Sequence, residues 1–287
     1  MPTPPLLDTV AAMHQQADAW HRQDLRIGLV PTMGYLHDGH LSLVERCRRE
    51  SDRTVVSIFV NPLQFGPQED FDIYPRDLDR DLELLSRHGV EAVFHPIPEE
   101  FYPDGFATSV EVEGLTSGLC GAFRPGHFSG VTTVVTKLFT ATRPDVAVFG
   151  QKDYQQSAVI RRMVRDLNLG IDIVVAPTVR EADGLAMSSR NINLTAQERE
   201  RAPLLYQFLS QTREAILAGE QDAENLIERM RLRIAAELTD RIDYIAIVDP
   251  DSLKSVAHIR GPVVVALAVR LGKVRLIDNI LIESPSA

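Results

Sequence analysis

The chain has 287 residues, 44% of them apolar and 24% charged, ordinary values for a soluble globular protein of one large domain or two modest ones. A formal net charge of −10 is a poor match for a phosphate backbone, so no nucleic-acid partner is expected. Two cysteines without a C-x-x-C, a Met1-Pro2-Thr3-Pro4-Pro5 start that does not read as a signal peptide, and a longest apolar run of only 263–269 point to a cytoplasmic chain with no membrane association.

In chain order, apolar and β-branched runs at 27–30, 54–60, 91–94, 146–149 and 171–176 read as strands. They lack alternation, which suits strands buried on both faces of a parallel sheet. Between them lie helical patterns at 77–88, where Leu78, Leu82 and Leu85 share a stripe, at 131–140, and at 153–167, where Val159, Ile160, Met163 and Leu167 share a face. This alternation predicts an α/β fold over residues 1–177, a doubly wound, Rossmann-like parallel sheet with its ligand at the carboxyl ends of the strands. Residues 178–190 then read as a connecting segment. Two amphipathic helices at 195–217 and 223–238 and three strands at 244–248, 263–269 and 274–282 follow. Helices followed by strands predict a second, smaller α+β domain over 178–287.

The strongest local signal is Pro31-Thr32-Met33-Gly34-Tyr35-Leu36-His37-Asp38-Gly39-His40, where the first long strand ends and a helix begins. Gly34 and Gly39 allow a ligand close to the backbone, and the helix N-terminus suits phosphate. His37 and His40 share one side of the first helical turn, where two imidazoles can stabilise charge on a departing group. A tight turn with two surface histidines fits the same four residues. Asn61 and Gln64, just after the second strand, are neutral amides able to bind hydroxyls and a carboxylate; an Asn-Pro turn with an incidental glutamine is the plainer reading. At Phe149-Gly150-Gln151-Lys152-Asp153, Gly150 leaves room for a nucleoside, Lys152 can reach phosphate, and Asp153 can cap a helix or accept a ribose hydroxyl. Met187-Ser188-Ser189-Arg190 offers two hydroxyls and a guanidinium, a triphosphate clamp or else a solvated linker. Arg124-Pro125-Gly126-His127 is a rigid turn with two basic groups. Asp72, Asp77, Asp79 and Asp81 read as a solvated helix face rather than as Mg²⁺ ligands.

The H-x-G-H string resembles the signature of the nucleotidyltransferase superfamily, whose members cleave ATP between the α and β phosphates. The longer string around it is similar to that of the pantoate–β-alanine ligase family. Phe59-Val60-Asn61-Pro62-Leu63-Gln64-Phe65-Gly66, Tyr74-Pro75-Arg76, Arg124-Pro125-Gly126-His127-Phe128, Gly150-Gln151-Lys152-Asp153-Tyr154-Gln155-Gln156, Met187-Ser188-Ser189-Arg190-Asn191 and Leu276-Ile277-Asp278-Asn279 follow in that family's order. The resemblance implies an ATP-dependent, AMP-forming ligase that joins pantoate to β-alanine through a pantoyl adenylate. It implies His37, His40, Lys152, Ser188, Ser189 and Arg190 as catalytic groups. Pro31, Thr32, Met33, Gly34, Gly39, Phe149, Gly150, Asp153, Val179 and Met187 would lie in the nucleotide site, and Met33, Asn61, Gln64, Gln156, Arg124 and His127 beside the other substrates. It also implies Mg²⁺ held mainly by the ATP phosphates, with no side-chain metal ligands, and a homodimer. The family often carries an acidic residue where this chain has Cys120. Another adenylyltransferase that stops after transferring AMP, or a non-catalytic nucleotide- or tRNA-binding module, are the alternative readings.

Overall fold

The apolar runs of the first 177 residues form one parallel sheet because both of its faces are covered. In the computed structural model, which describes residues 3–67 and 69–283, the elements in order are β1 (Leu6–Leu7), α1 (Val10–His21), β2 (Ile27–Thr32), α2 (Asp38–Glu50), β3 (Arg53–Ile58), α3 (Leu78–Arg87), β4 (Ala92–Phe94), α4 (Pro98–Phe101), α5 (Cys120–Phe123), α6 (His127–Thr142), β5 (Val146–Gly150), α7 (Tyr154–Asp166) and β6 (Asp172–Ala176). Met1 and Pro2, part of the N-terminal stretch read above, lie outside the described residues.

Strand order is β1-β4-β3-β2-β5-β6, and every pairing is parallel. The chain therefore leaves β2 in one direction through β3 and β4, and in the other through β5 and β6. That reversal is the topological switch point where such sheets bind ligands. Alternate residues of each strand feed two cores. Ile27, Leu29, Val55, Phe94, Ala147 and Phe149 pack with Met13, Ala17, Val135 and Met163 from α1, α6 and α7. Val30, Val56, Val93 and Val148 pack with Leu41, Val44 and Leu85 from α2 and α3. Period-two burial on both faces explains why these strands carry no polar alternation.

The chain divides into two compact units. One comprises Met1–Val112, Arg124–Gln151 and Gln156–Pro177; the other comprises Glu113–Phe123, Lys152–Gln155 and Thr178–Ala287. The second unit carries α8 (Ala196–Arg201), α9 (Leu204–Leu217) and α10 (Ala223–Glu237), then an antiparallel sheet of β7 (Ile242–Val248), β8 (Val263–Leu271) and β9 (Val274–Ile282). Val263, Val265, Leu267 and Val269 face α9 and α10, whose Leu205, Leu209, Leu226, Met230 and Ile234 complete that core.

Three local readings need correction. The helix expected over 195–217 is two helices, α8 and α9, with Pro203 between them; proline has no N–H to continue the first one. Helix α6 begins at His127 rather than at 131, directly after Gly126 in a left-handed conformation (φ 79°). Helix α1 has no counterpart in the sequence reading; its buried stripe is only Met13, Ala17 and Trp20, too sparse to stand out from a polar segment.

Candidate active site

The loop from the end of β2 into α2 is held from several sides. The Thr32 hydroxyl donates to the Ser57 carbonyl (2.7 Å) and accepts the Gly34 N–H (3.1 Å). Gly34 turns left-handed at φ 82°, a conformation that strains any side chain, and a Cβ there would also crowd Ile58 Cγ2 at 3.0 Å and Asp81 Oδ2 at 3.1 Å. His37 precedes α2 as its cap, and its N–H donates to His40 Nδ1 at 3.4 Å. That bond puts the His40 proton on Nε2. The two imidazole rings lie 4.1 Å apart.

A second cluster of the same unit surrounds Gln64. Asn61 is 1% exposed. Its Oδ1 accepts the Leu63 N–H (3.3 Å) and the Tyr102 hydroxyl (2.9 Å), while its Nδ2 donates to the Gly130 carbonyl (3.0 Å) and to Gln64 Oε1 (3.2 Å). A backbone donor on one side and a backbone acceptor on the other leave the Asn61 amide one orientation. Gln64 is thereby oriented too: its oxygen faces Asn61, and its Nε2 donates to Met33 Sδ at 3.0 Å. Helix α6 can approach this turn only at Gly130, where a Cβ would lie 2.2 Å from the Leu63 carbonyl oxygen.

Arg124 and His127, expected beside the substrates, both bond to the Gln64 carbonyl. Arg124 pairs with both oxygens of Glu69 (2.6 and 2.5 Å) and donates to the Gln64 carbonyl (3.3 Å) and to His127 Nε2 (2.9 Å). His127 must then carry its proton on Nδ1, which donates to the same Gln64 carbonyl at 2.8 Å. Burial pushes the Glu69 carboxyl up, but the hydrogen bond and charge of Arg124 outweigh it and hold the group below its ordinary value. Tyr102, whose phenol burial pushes up, packs under the Lys137 ammonium at 5.4 Å.

In the second unit, residues 179–187 form a small antiparallel turn: Met187 N–H donates to the Val179 carbonyl (3.0 Å), and Arg180 bridges Ala186. Ser188 Oγ accepts the Arg190 N–H (3.3 Å), opening a short 3-10 turn at Ser189–Asn193. Ser189 is buried, and Ser188 and Arg190 are half-buried. Lys152 and Asp153 form the 3-10 turn entering α7; the Lys152 carbonyl accepts a bond from Asn279 Nδ2 (2.8 Å). Gln155 is spent on the chain of its own unit, accepting the Cys120 N–H (2.9 Å) and donating to the carbonyls of Leu115 (2.9 Å) and Gly118 (2.8 Å). Gln156, in the first unit, is half-buried. Cys120 Sγ lies 3.2 Å from the Tyr244 hydroxyl and 3.6 Å from Arg275 Nη1. The same Arg275 guanidinium is paired with Asp243 Oδ2 at 2.7 Å.

Sequence reading missed Asp81, Glu69 and Tyr102. Asp72, Asp77 and Asp79 are exposed as expected, but Asp81 is 1% exposed. It accepts the backbone N–H groups of Tyr35 (2.7 Å) and Leu36 (2.8 Å). Burial pushes its carboxyl above the ordinary value against the pull of those two bonds. The spacing held a signal: Asp81 falls on the same helical stripe as Leu78, Leu82 and Leu85.

A family model described as Pantoate-beta-alanine ligase matches residues 5–281. The chain belongs to the pantoate–β-alanine ligase family. It is 57% identical over 278 residues to a pantothenate synthetase of Moorella thermoacetica, covering 97% of this chain and 98% of that one. Its structure superimposes on a pantothenate synthetase of Thermus thermophilus with a TM-score of 0.91 at 49% identity, over 96% of this chain and 98% of that one. A Francisella tularensis pantoate–β-alanine ligase, complexed with a βγ ATP and β-alanine, matches with a TM-score of 0.82 at 36% identity over 97% of each chain. No helix among the described residues is long and apolar enough to cross a membrane.

Proposed function

We propose that this protein condenses pantoate with β-alanine, using ATP and releasing AMP and pyrophosphate through a pantoyl adenylate. Membership of the family supports the overall reaction. The observation that carries the residue assignment is the 3.0 Å contact of Gln64 Nε2 with Met33 Sδ: an oriented N–H donor lies against the glycine-bearing loop at the switch point of the sheet. A donor there binds an oxygen of the acid and leaves its carboxylate nucleophilic. Asn61, Arg124 and His127 serve by fixing Gln64, and Gln156 offers a second amide to the acid.

The carboxylate attacks the α-phosphorus, and pyrophosphate leaves. His37 and His40 donate to the charge that develops there. Lys152, Ser188, Ser189 and Arg190 supply the remaining donors to the phosphates. Residues 31–34 and 39, with Phe149, Gly150, Asp153, Val179 and Met187, surround the nucleotide. The amine of β-alanine then attacks the acyl carbon, forming the amide and releasing AMP. Orientation and preset donors supply the rate, with no covalent enzyme intermediate. Mg²⁺ enters as part of the Mg-ATP substrate. A cytoplasmic homodimer, with residues 1–177 as the binding domain and 178–287 as the lid, belongs to the same proposal.

Pantoate-dependent exchange of labelled pyrophosphate into ATP, without β-alanine, tests this reading. Exchange is expected, and β-alanine should divert the adenylate to AMP and pantothenate. Absence of exchange across a wide pantoate range, while ATP binds, would overturn carboxylate activation.

A further inference from the structure

The loop carrying the histidines is shaped by a buried carboxylate on another helix. Two successive residues before His37 are left-handed: Gly34 at φ 82° and Tyr35 at φ 49°. Glycine adopts this conformation freely, whereas a tyrosine holds it only when its surroundings impose it. In this turn the successive backbone N–H groups of Tyr35 and Leu36 point toward one acceptor. Here the acceptor is built in. Asp81 Oδ2 accepts from Tyr35 N–H at 2.7 Å and Asp81 Oδ1 from Leu36 N–H at 2.8 Å. The residue before it acts on the same tyrosine, since the Arg80 guanidinium lies 5.0 Å over the Tyr35 ring and also reaches Asp81 Oδ1 at 3.4 Å. A carboxylate buried to 1% exposure is costly to keep, and an apolar residue would continue the stripe of Leu78, Leu82 and Leu85.

We propose that Asp81 is a positioning residue for the phosphate-binding loop, holding Tyr35 and Leu36 so that His37 and His40 meet the reacting phosphates in one fixed direction. This rests on the function proposed above. An asparagine at this position could accept only one of the two N–H groups and would turn its own N–H groups against the other. A glutamate would keep the charge but displace it by one methylene. In either case Tyr35 and Leu36 lose their shared acceptor and the two histidines lose their fixed direction, while Gln64 keeps its separate bond to Asn61.

The test compares the full-length wild type with Asp81→Asn and Asp81→Glu. Pyrophosphate exchange gives kcat, titration calorimetry gives the pantoate and ATP dissociation constants, and the imidazole resonances of His37 and His40 report the loop directly. We expect kcat to fall about 10²-fold, the scale for a misplacement near 1 Å, with dissociation constants within about threefold of wild type and both imidazole signals shifted. Either variant that folds suffices. Unchanged kcat in a folded variant, or unmoved imidazole signals, would overturn the proposal, as would weakened pantoate binding with kcat retained. If wild type itself shows no exchange, the functional reading fails, and the imidazole signals still decide whether Asp81 holds the loop.

Discussion

Arg180 grips Asp278 with both arms of its guanidinium, Nη1 to Oδ2 at 2.7 Å and Nη2 to Oδ1 at 2.9 Å. Arg180 also donates to the Gly184 carbonyl (3.1 Å) and stacks 3.8 Å from the Tyr206 ring centre. Asp278 Oδ1 accepts the Asn279 N–H (2.8 Å), and Asn279 donates from its side chain to the Lys152 carbonyl (2.8 Å). Within the second unit, one ion pair therefore ties the turn that precedes Ser188 to the strand that holds Lys152.

Breaking that pair from one side should be expensive. Arg180 and Asp278 expose only 16% and 3% of their side chains, so Asp278→Asn leaves a desolvated guanidinium without its charge partner. The expected loss of stability is about 3–5 kcal/mol, read as a lower midpoint in urea denaturation. A loss under about 1 kcal/mol would mark the pair as solvated, like an ordinary surface bridge.

Glu69 gives the protein an acid-sensitive brace. Its carboxyl is held below the ordinary value of 4.5 in the folded state. A depressed folded value means that the unfolded chain binds the proton first, so the group's stabilisation is complete above the unfolded value and is lost as pH falls through the folded one. Glu69→Gln should be less stable than wild type at pH 7, and the gap between them should close as pH falls below about 4.5. Parallel stability curves over that range would contradict the assignment.

Gln64 should discriminate by the sign of what it presents. Its oxygen is engaged by Asn61 at 3.2 Å, which leaves the acid an N–H donor. Gln64→Ala removes that donor and should weaken pantoate binding by about 10- to 100-fold, the range for a hydrogen bond to a charged group. Gln64→Glu sets a carboxylate against a carboxylate and should weaken it further. ATP affinity, measured separately by calorimetry, should hardly change in either variant. A Gln64→Glu protein that binds pantoate as well as Gln64→Ala does would mean that the acid lies elsewhere.

Most of the first unit's architecture was legible without coordinates. Strands such as 146–149 were visible because both-face burial leaves a dense apolar run, and α3 because Leu78, Leu82 and Leu85 keep helical spacing. The loop 31–40 was legible for a different reason: a glycine-bearing turn between strand and helix with two histidines is local chemistry. Boundaries were less secure where a single residue decided them, as Pro203 does between α8 and α9 and Gly126 does before α6.

The partners of these local pieces were not legible, because hydrogen bonds between distant segments leave no periodicity. Asn61 and Gln64 could be picked out as amides, but which end each presents depends on Gly130, Leu63 and Tyr102. Arg124 and His127 could be picked out as basic, but their attachment to Glu69 and the Gln64 carbonyl follows from the packing of α6 against the Asn61–Gln64 turn. Asp81 illustrates the division most sharply. Composition groups it with three other aspartates on a solvated face, whereas the fold buries it and gives it two backbone N–H groups from a loop 45 residues away. Burial patterns and local turn chemistry are properties of neighbouring residues, and the sequence alone determined those. The direction of each donor at the site is a property of contacts across the chain, and only the tertiary structure decided it.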